Sequence, residues 1–162
     1  MLLGLVSDTH DNLTALDAAL AAFRLRGVTH ILHAGDITQP ATLERLGGWQ
    51  AVAVYGNNDL ARDRLAQAAQ SAGIELADGW EGGLGGLRVA VLHGDDRARL
   101  KRAINSGRFR LIVTGHSHRL RDERAGETRI VNPGALYRAA RYTCAVYNPL
   151  TGALEIIDVK GA

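Results

Sequence analysis

Side chains that can bind metal ions follow five apolar runs of this chain, each at the point where the run ends. They are imidazoles, carboxylates and one amide, a mixture that suits first-row transition ions better than Ca²⁺ or Mg²⁺. No cysteine lies among them, which argues against a structural zinc site. The candidate metal ligands are Asp8, His10, Asp36, Asn57, His93, His116 and His118.

Two of these candidates belong to the motif Gly115-His116-Ser117-His118, which follows the apolar run at 110–114. Imidazoles one residue apart can face a common site only if the loop turns sharply. We expect Gly115 to permit that turn, because glycine tolerates backbone angles that other residues avoid. A His-x-His pair also occurs in ordinary surface loops, so the metal interpretation depends on the other four runs.

The number of candidates favours two metal ions rather than one. Seven ligands are too many for one transition ion, but they suit two ions that share a carboxylate. Two ions about 3.5–4 Å apart can hold both oxygens of a phosphoryl displacement and lower the pKa of a water between them. With Asp8, Asp36 and one hydroxide, two divalent ions leave a site of about +1, which attracts phosphate.

The apolar runs predict the strands of an α/β fold, since short continuous runs are typical of buried strands. In open α/β sheets the C-terminal ends of neighbouring strands meet at one crevice, so residues far apart in the chain are expected at one site. We predict strands at 2–6, 29–33, 51–55, 74–77, 87–92, 110–114 and 128–131, a hairpin of 142–147 with 153–160, and helices at 13 to near 27, 41–46, 60–72 and 97–106.

A glycine-rich stretch lies within the turn-rich segment 78–86. Its glycines do not form the pattern G-x-G-x-x-G, and they precede a predicted strand rather than follow one, which argues against a dinucleotide loop. We interpret this segment as a hairpin turn.

Length and composition predict one globular domain, residues 1–162, with 46% hydrophobic and 22% charged residues. No run approaches the roughly 18 apolar residues of a membrane span, and the N-terminus lacks the basic segment of a signal peptide. A single cysteine, Cys144, excludes an intrachain disulfide and fits a cytoplasmic location. Its strand-like surroundings predict a small buried hydrophobe.

The basic residues are nearly all arginines, concentrated at 97–110 and 119–129, and the net charge is only +2. Acidic residues accompany the second group, and no aromatic residues alternate with the arginines to stack on bases. We therefore expect a solvated surface and no nucleic-acid partner.

The ordered motifs resemble those of the calcineurin-like metallophosphoesterase family, and their spacing is similar to that of its compact YfcE/MJ0936-type phosphodiesterase branch. The resemblance covers almost the whole chain. It implies an α/β fold, a four-layer α-β-β-α sandwich with a dinuclear metal site at the strand C-terminal ends. The motifs are Asp8-x-His10, Gly35-Asp36, Gly56-Asn57, His93, Gly115-His116-Ser117-His118 and Asn132-Pro133-Gly134.

The resemblance also implies a ligand set and a mechanism. A metal-held hydroxide would attack phosphorus in line with the leaving group of a small or activated phosphodiester. The implied cofactors are two divalent transition ions, with Mn²⁺ favoured and Ni²⁺, Fe²⁺, Co²⁺ or Zn²⁺ as alternatives. Relatives often self-associate, so a homo-oligomer stays open. One ion would bind Asp8, His10, Asp36 and His118, and the other Asp36, Asn57, His93 and His116, with Asp36 as the bridge.

Three positions depart from the family pattern. Asn58 occupies the catalytic position where many relatives carry a histidine that is thought to protonate the leaving group, and an amide cannot act as a general acid. Asp95 replaces a common second histidine and either reshapes the substrate mouth or caps the following helix. Ala135 replaces a common serine with no consequence that we can derive.

Two further questions stay open on the sequence alone. The retromer subunit Vps29 resembles this fold with weakened metal chemistry, so a protein-binding scaffold is the alternative function. His30 and His33 lie outside the strand-end pattern. His33 could support the site behind Asp36 or simply pack at the end of its strand.

Overall fold

The structure, a computed structural model, describes residues 1–159. Alternating strands and helices fill the first two thirds of the chain, and strands and loops fill the rest. The strands are β1 (Leu3–Val6), β2 (His30–His33), β3 (Gln50–Val54), β4 (Glu75–Ala77), β5 (Trp80–Leu84), β6 (Leu87–Val91), β7 (Leu111–Val113), β8 (Arg121–Ala125), β9 (Thr128–Asn132), β10 (Thr143–Tyr147) and β11 (Leu154–Asp158). The helices are α1 (Leu13–Leu25), α2 (Pro40–Leu46), α3 (Arg62–Ala72) and α4 (Arg97–Asn105).

The strands form two sheets. The first has the order β11-β10-β1-β2-β3-β4, and the second has the order β5-β6-β7-β9-β8. In the first sheet β1 to β4 run parallel, with Val6 beside His33 and His33 beside Ala53. In the second sheet β6, β7 and β9 run parallel, with Val91 beside Val113. These registers bring the C-terminal ends of the parallel strands level with one another.

Apolar side chains hold the layers together. Leu5 and Leu32 of the first sheet pack against Val91 and Val113 of the second, and all four are almost completely buried. Helices α1, α2 and α3 cover the outer face of the first sheet. Helix α4 covers the outer face of the second sheet. This arrangement confirms the four-layer α-β-β-α sandwich that the family resemblance implied.

Local sequence signals set the helix ends. The side chain of Asn12 accepts a hydrogen bond from the backbone N–H of Ala15 and so caps α1. Helix α2 begins at Pro40, where a missing N–H costs nothing. Helix α3 ends at Ala72 and is followed by Gly73, which adopts a left-handed conformation (φ 70°) that favours glycine. The helices accordingly begin and end within two residues of the sequence prediction.

The sequence interpretation missed β5, because its glycines were interpreted as a turn. Only Gly85 and Gly86 make the turn, and the strand before them pairs with β6 from Trp80 to Leu84. A Cβ atom on Gly82 would lie 2.3 Å from the indole of Trp80. Glycine is therefore needed here for the packing of a side chain and not for chain reversal.

Strand β8 was also missed, since its sequence is charged on both faces. It forms the edge of the second sheet, where charged residues discourage pairing with other chains. Its Asp122 accepts two hydrogen bonds from the Arg129 guanidinium of β9, at 2.7 and 2.8 Å. That ion pair lowers the pKa of Asp122.

Cys144 lies buried on β10, as predicted, and burial raises the pKa of its thiol to about 12. The last strand of the predicted hairpin ends at Asp158, and residue 160 of that prediction lies outside the described residues. In the described part of the chain no helix has the length and apolar character that a membrane span requires.

Candidate metal centre

The seven candidate ligands come together at one end of the sandwich. Three loops follow β1, β2 and β3 of the first sheet, and two follow β6 and β7 of the second. The strand-end rule is stated for a single open sheet, whereas here two stacked sheets supply the strand ends. The strand-end loops nevertheless meet at one site, as predicted, since the parallel strands of both sheets end on the same side.

Four of the candidates form what we call the acidic cluster: Asp8, His10, Asp36 and His118. Each offers one ligand atom, and these atoms all lie within 4.8 Å of one another. Nε2 of His10 is 3.2 Å from Oδ2 of Asp36, and Nε2 of His118 is 3.3 Å from Oδ1 of Asp8. Both aspartates are almost completely buried.

The remaining candidates surround Asp36 on its other side, and we call Asp36, Asn57, His93 and His116 the amide cluster. Oδ1 of Asn57 lies 3.0 Å from Nε2 of His93 and 3.0 Å from Nδ1 of His116. Nε2 of His93 is also 3.5 Å from Oδ1 of Asp36. The Asp36 carboxylate thus has one oxygen toward each cluster.

The chemistry of these donors fits bound cations. Nδ1 of His93 lies 2.7 Å from the carbonyl oxygen of Ala34 and donates to it, so Nε2 of the neutral ring carries a lone pair. That lone pair faces the oxygens of Asn57 and Asp36. Nε2 of His10 is buried and has no hydrogen-bond partner. Acceptors that face one another repel, and a divalent ion between them turns this repulsion into coordination.

Burial and hydrogen bonds shift the pKa values of the two carboxylates in opposite directions. Burial raises the pKa of Asp8, although a hydrogen bond from Ser7 Oγ at 2.6 Å acts in the other direction. Burial also disfavours ionisation of Asp36, but hydrogen bonds from Asn58 and the nearby histidines outweigh it and lower the pKa of Asp36. Burial lowers the pKa of His10, which favours the neutral ring that binds metals.

Five of the seven candidates have backbones in the left-handed region, which costs a residue other than glycine about 1–3 kcal/mol. Such conformations cluster at functional sites, and aspartate and histidine tolerate them better than most residues. The five values of φ are 50° for Asp8, 42° for His10, 56° for Asp36, 68° for His116 and 56° for His118.

Gly115 serves the site differently from the prediction. Its φ is not in the left-handed region, and the sharp turn is made by His116 and His118 instead. A Cβ on Gly115 would lie 1.9 Å from Ser7 Oγ and 2.6 Å from Asp8 Oδ2. The residue is glycine because the β7 loop passes directly over Asp8, and the backbone N–H of His116 donates to that carboxylate at 3.0 Å.

Asn58 contacts the carboxylate between the two clusters. Its backbone N–H donates to Asp36 Oδ1 at 2.9 Å, and its side-chain amide donates to Oδ2 at 2.8 Å. The next residue, Asp59, is buried and accepts from the backbone N–H groups of Gly56 at 2.7 Å and Thr38 at 2.6 Å. Sequence reasoning missed Asp59, because an aspartate in a polar loop carries no signal of burial.

His33 and His30 supply no ligand atom to either cluster. The buried ring of His33 accepts from the N–H of Gly35 at Nδ1 (3.2 Å), so Nε2–H donates to Thr9 Oγ1 at 3.1 Å. Burial lowers the pKa of His33 to about 3 and keeps it neutral. His30 lies at the opposite end of β2, where it contacts Thr29.

Two residues of the loop after β9 also approach the acidic cluster and were missed in the sequence. The ring of Tyr137 stacks on His10 with centroids 4.7 Å apart. The carbonyl oxygen of Arg138 accepts a long hydrogen bond, 3.4 Å, from Nδ1 of His118. That bond leaves Nε2 of His118 free to face Asp8. No sequence motif marks these two contacts, because the loop after β9 is irregular.

Of the two roles that the sequence left open for Asp95, the structure excludes the helix cap. Asp96, not Asp95, caps α4, and its Oδ1 accepts from the backbone N–H of Arg99 at 2.9 Å. Asp95 lies exposed beside the amide cluster, on the same cleft as Asn57.

Known proteins are similar to this chain in sequence and in fold. Phosphodiesterase MJ0936 of Methanocaldococcus jannaschii is 29% identical over 138 residues, which cover 83% of this chain and 83% of that protein. The solved structure of an archaeal phosphodiesterase is 25% identical with a TM-score of 0.92, and the match covers 98% of this chain and 99% of that one.

A more distant structure shows the fold alone. Vps29 of Chaetomium thermophilum is 19% identical with a TM-score of 0.68, and the match covers 98% of this chain and 95% of that one. The model of the calcineurin-like phosphoesterase superfamily domain matches residues 1–151, a span that contains both sheets' site loops and all seven candidate ligands. With that match over the strand-end loops described above, the chain belongs to the calcineurin-like phosphoesterase superfamily.

Proposed function

We propose that this chain is a metallophosphoesterase that hydrolyses phosphodiesters with two divalent transition-metal ions, Mn²⁺ first among them. One observation carries the proposal. Six of the seven candidate ligands lie around the carboxylate of the seventh, Asp36, in two groups of three. The names of the similar phosphodiesterases support the same activity.

When bound, two divalent ions would stabilise charge on the phosphoryl oxygens and lower the pKa of a coordinated water. The acidic cluster would hold one ion and the amide cluster the other, with Asp36 shared. The chain's own contribution is preorganisation. Ser7 and the N–H of His116 fix Asp8, Ala34 fixes the ring of His93, and Arg138 fixes the ring of His118.

Asn58 acts in this proposal as a positioning residue for Asp36. Its two N–H donors hold both carboxylate oxygens, and its amide is too weak an acid to protonate a leaving group. Without a general acid at this position, diesters with good leaving groups should be cleaved best. General acid catalysis contributes roughly 10²–10⁴-fold, so a poor leaving group loses by about that factor.

The experiment compares p-nitrophenyl esters and metal content. Protein purified with Mn²⁺ should contain close to two ions per chain and should hydrolyse bis-p-nitrophenyl phosphate better than p-nitrophenyl phosphate. A clear preference for the monoester would overturn the diesterase assignment.

The same experiment decides between enzyme and scaffold. A Vps29-like scaffold would cleave neither ester, whether or not it binds metal. All seven ligand positions are filled in this chain, which favours the enzyme. We expect the cytoplasm as its location on the sequence grounds of a single, unpaired cysteine.

A further inference from the structure

A cleft of about 510 Å³ opens beside the amide cluster, between the loop after β3 and the loop after β6. Asn57 belongs to both the cluster and the cleft, so the cleft is continuous with the candidate metal centre. Tyr55 and Leu60 line it on the β3 side, and the side chain of Leu60 is 86% exposed. An ester group on a phosphate held at the centre would extend into this space.

Nearly all charged side chains of the cleft already have a partner, either another charged side chain or a backbone group. The guanidinium of Arg62 lies 3.7 Å over the Tyr55 ring, and its Nη2 is 2.6 Å from Asp78 Oδ1. Arg99 donates to the backbone carbonyl oxygen of Asp78 at 2.8 Å. Asp59 accepts its two backbone bonds, and Asp96 caps α4.

Asp95 is the exception. Among the described residues its carboxylate has no hydrogen bond, ion pair or ring contact, and it is exposed at the cleft. Asp95 does not cap helix α4 either, because Asp96 is the N-cap residue. An ionised carboxylate can only accept hydrogen bonds, so a group that it binds must donate them or carry positive charge.

The net charge of the cleft also disfavours anionic groups. Two arginines and four aspartates line it, a formal excess of two negative charges. A second anionic group on the substrate would be repelled, whereas the single negative charge of the diester phosphate would lie at the metal centre. The cleft therefore discriminates by the charge of the ester group that remains outside the centre.

Resting on the proposed function, we propose that this cleft binds the non-reacting ester group of the phosphodiester. Asp95 selects groups that are cationic or rich in hydrogen-bond donors, such as amines and polyols, against anionic groups. It is a specificity-determining residue that leaves the chemistry of the metal centre unchanged.

The test uses two diesters with the same leaving group. One is p-nitrophenyl phosphorylcholine, whose ester group is cationic, and the other is p-nitrophenyl carboxyethyl phosphate, whose ester group is anionic. The Mn²⁺-loaded wild type should prefer the first in kcat/KM. The substitution Asp95→Asn keeps the shape and removes the charge, so it should reduce this preference about fivefold to tenfold, as expected for one partly screened charge.

The matched control is Asp63→Asn, which removes an exposed charge on the first turn of α3, outside the cleft. It should leave the preference unchanged. If Asp95→Asn preferred the choline ester by the same factor as the wild type, the role of Asp95 would be overturned, while the proposed phosphodiesterase activity would stand.

A second measurement keeps the two proposals apart. Calorimetry can follow binding of the choline and carboxyethyl esters of p-nitrobenzylphosphonate, in which a methylene replaces the scissile oxygen. A preference for the choline ester that weakens in Asp95→Asn supports the cleft, even if no ester is hydrolysed and the proposed activity fails. Equal affinities for both esters in the wild type would overturn the cleft whatever the activity.

Discussion

The two halves of the candidate metal centre differ in charge and exposure. The acidic cluster has two carboxylates and two imidazoles, and its aspartates are 0% and 1% exposed. The amide cluster has only the shared carboxylate, and Asn57 and His116 lie exposed. An ion in the acidic cluster therefore meets one more negative charge in a more enclosed environment. We infer that the two positions bind metal with unequal strength and fill in order.

Asp36 is the residue on which both halves depend, so its change should have the largest effect. Asp36→Asn replaces one of the two carboxylate oxygens by an NH2 group, which is itself a donor and would face one of the two Asn58 donors. We expect loss of both ions and a fall in diester hydrolysis of about a thousandfold, equivalent to the several kcal/mol that metal ions supply. Metal analysis and kcat measurement check this.

The control for that variant is Asp63→Asn, which should keep two ions and full activity. If Asp36→Asn kept one ion at full occupancy, Asp36 would belong to one cluster only, and the description of a shared carboxylate would fail.

The two histidines of the β7 loop should separate the clusters. His118→Ala removes a ligand of the acidic cluster, and His116→Ala removes one of the amide cluster. Changes in residues that merely support ligands weaken metal binding about 10–100-fold, so loss of a ligand should cost at least about 100-fold at its own position. We expect one retained ion in each variant, at different positions.

Mn²⁺ electron paramagnetic resonance distinguishes these outcomes, because two neighbouring Mn²⁺ ions are magnetically coupled and a single one is not. Identical loss of both ions from both variants would contradict the division between clusters.

The sequence predicted which residues would meet because strand ends carry a period-independent signal: an apolar run, then a glycine and a ligand type. The runs before Asp36, Asn57 and His116 all show it, whereas Asp8 and His93 follow their runs without a glycine directly before them. The layers followed from the family resemblance, since apolar runs do not reveal which strands share a sheet. Strand β8 lacked any apolar run, and so no pattern marked it.

The sequence could not predict what supports those ligands. His33, for which the sequence left a supporting role open, is buried and accepts from the N–H of Gly35. Asp59 accepts two backbone hydrogen bonds, and the one from Thr38 joins two different loops, a contact that no local pattern marks. The role of Gly115 is of the same kind. Its missing side chain is explained by Ser7 and Asp8, more than a hundred residues away, and not by its own backbone angles.

That contact gives a third test, which should affect the acidic cluster before the amide cluster. Gly115→Ala introduces a methyl group 1.9 Å from Ser7 Oγ and 2.6 Å from Asp8 Oδ2. The shifts that such overpacking forces on its neighbours typically lower the free energy of unfolding by about 1–3 kcal/mol. We expect a loss of unfolding free energy in this range and weaker binding of the ion at Asp8, measured by urea unfolding and metal titration.

Gly83→Ala is the matched control, because nothing lies within 4 Å of its added Cβ and its φ is ordinary. It should leave metal binding unchanged. Should Gly115→Ala bind both ions like the wild type, the close approach of the β7 loop to Asp8 would have no part in ligand positioning.

The smallest expected effect is the difference in affinity between the two halves of the wild-type centre. One additional carboxylate should favour the acidic cluster by about tenfold or more, even with strong screening. Gradual addition of a chelator to the Mn²⁺-loaded protein should therefore remove one ion first and convert the coupled resonance spectrum into that of a single ion. The remaining spectrum should match that of His116→Ala, in which only the acidic cluster is complete. A match to His118→Ala would mean that the exposed amide cluster holds its ion more tightly, so that geometry rather than charge sets the order of binding.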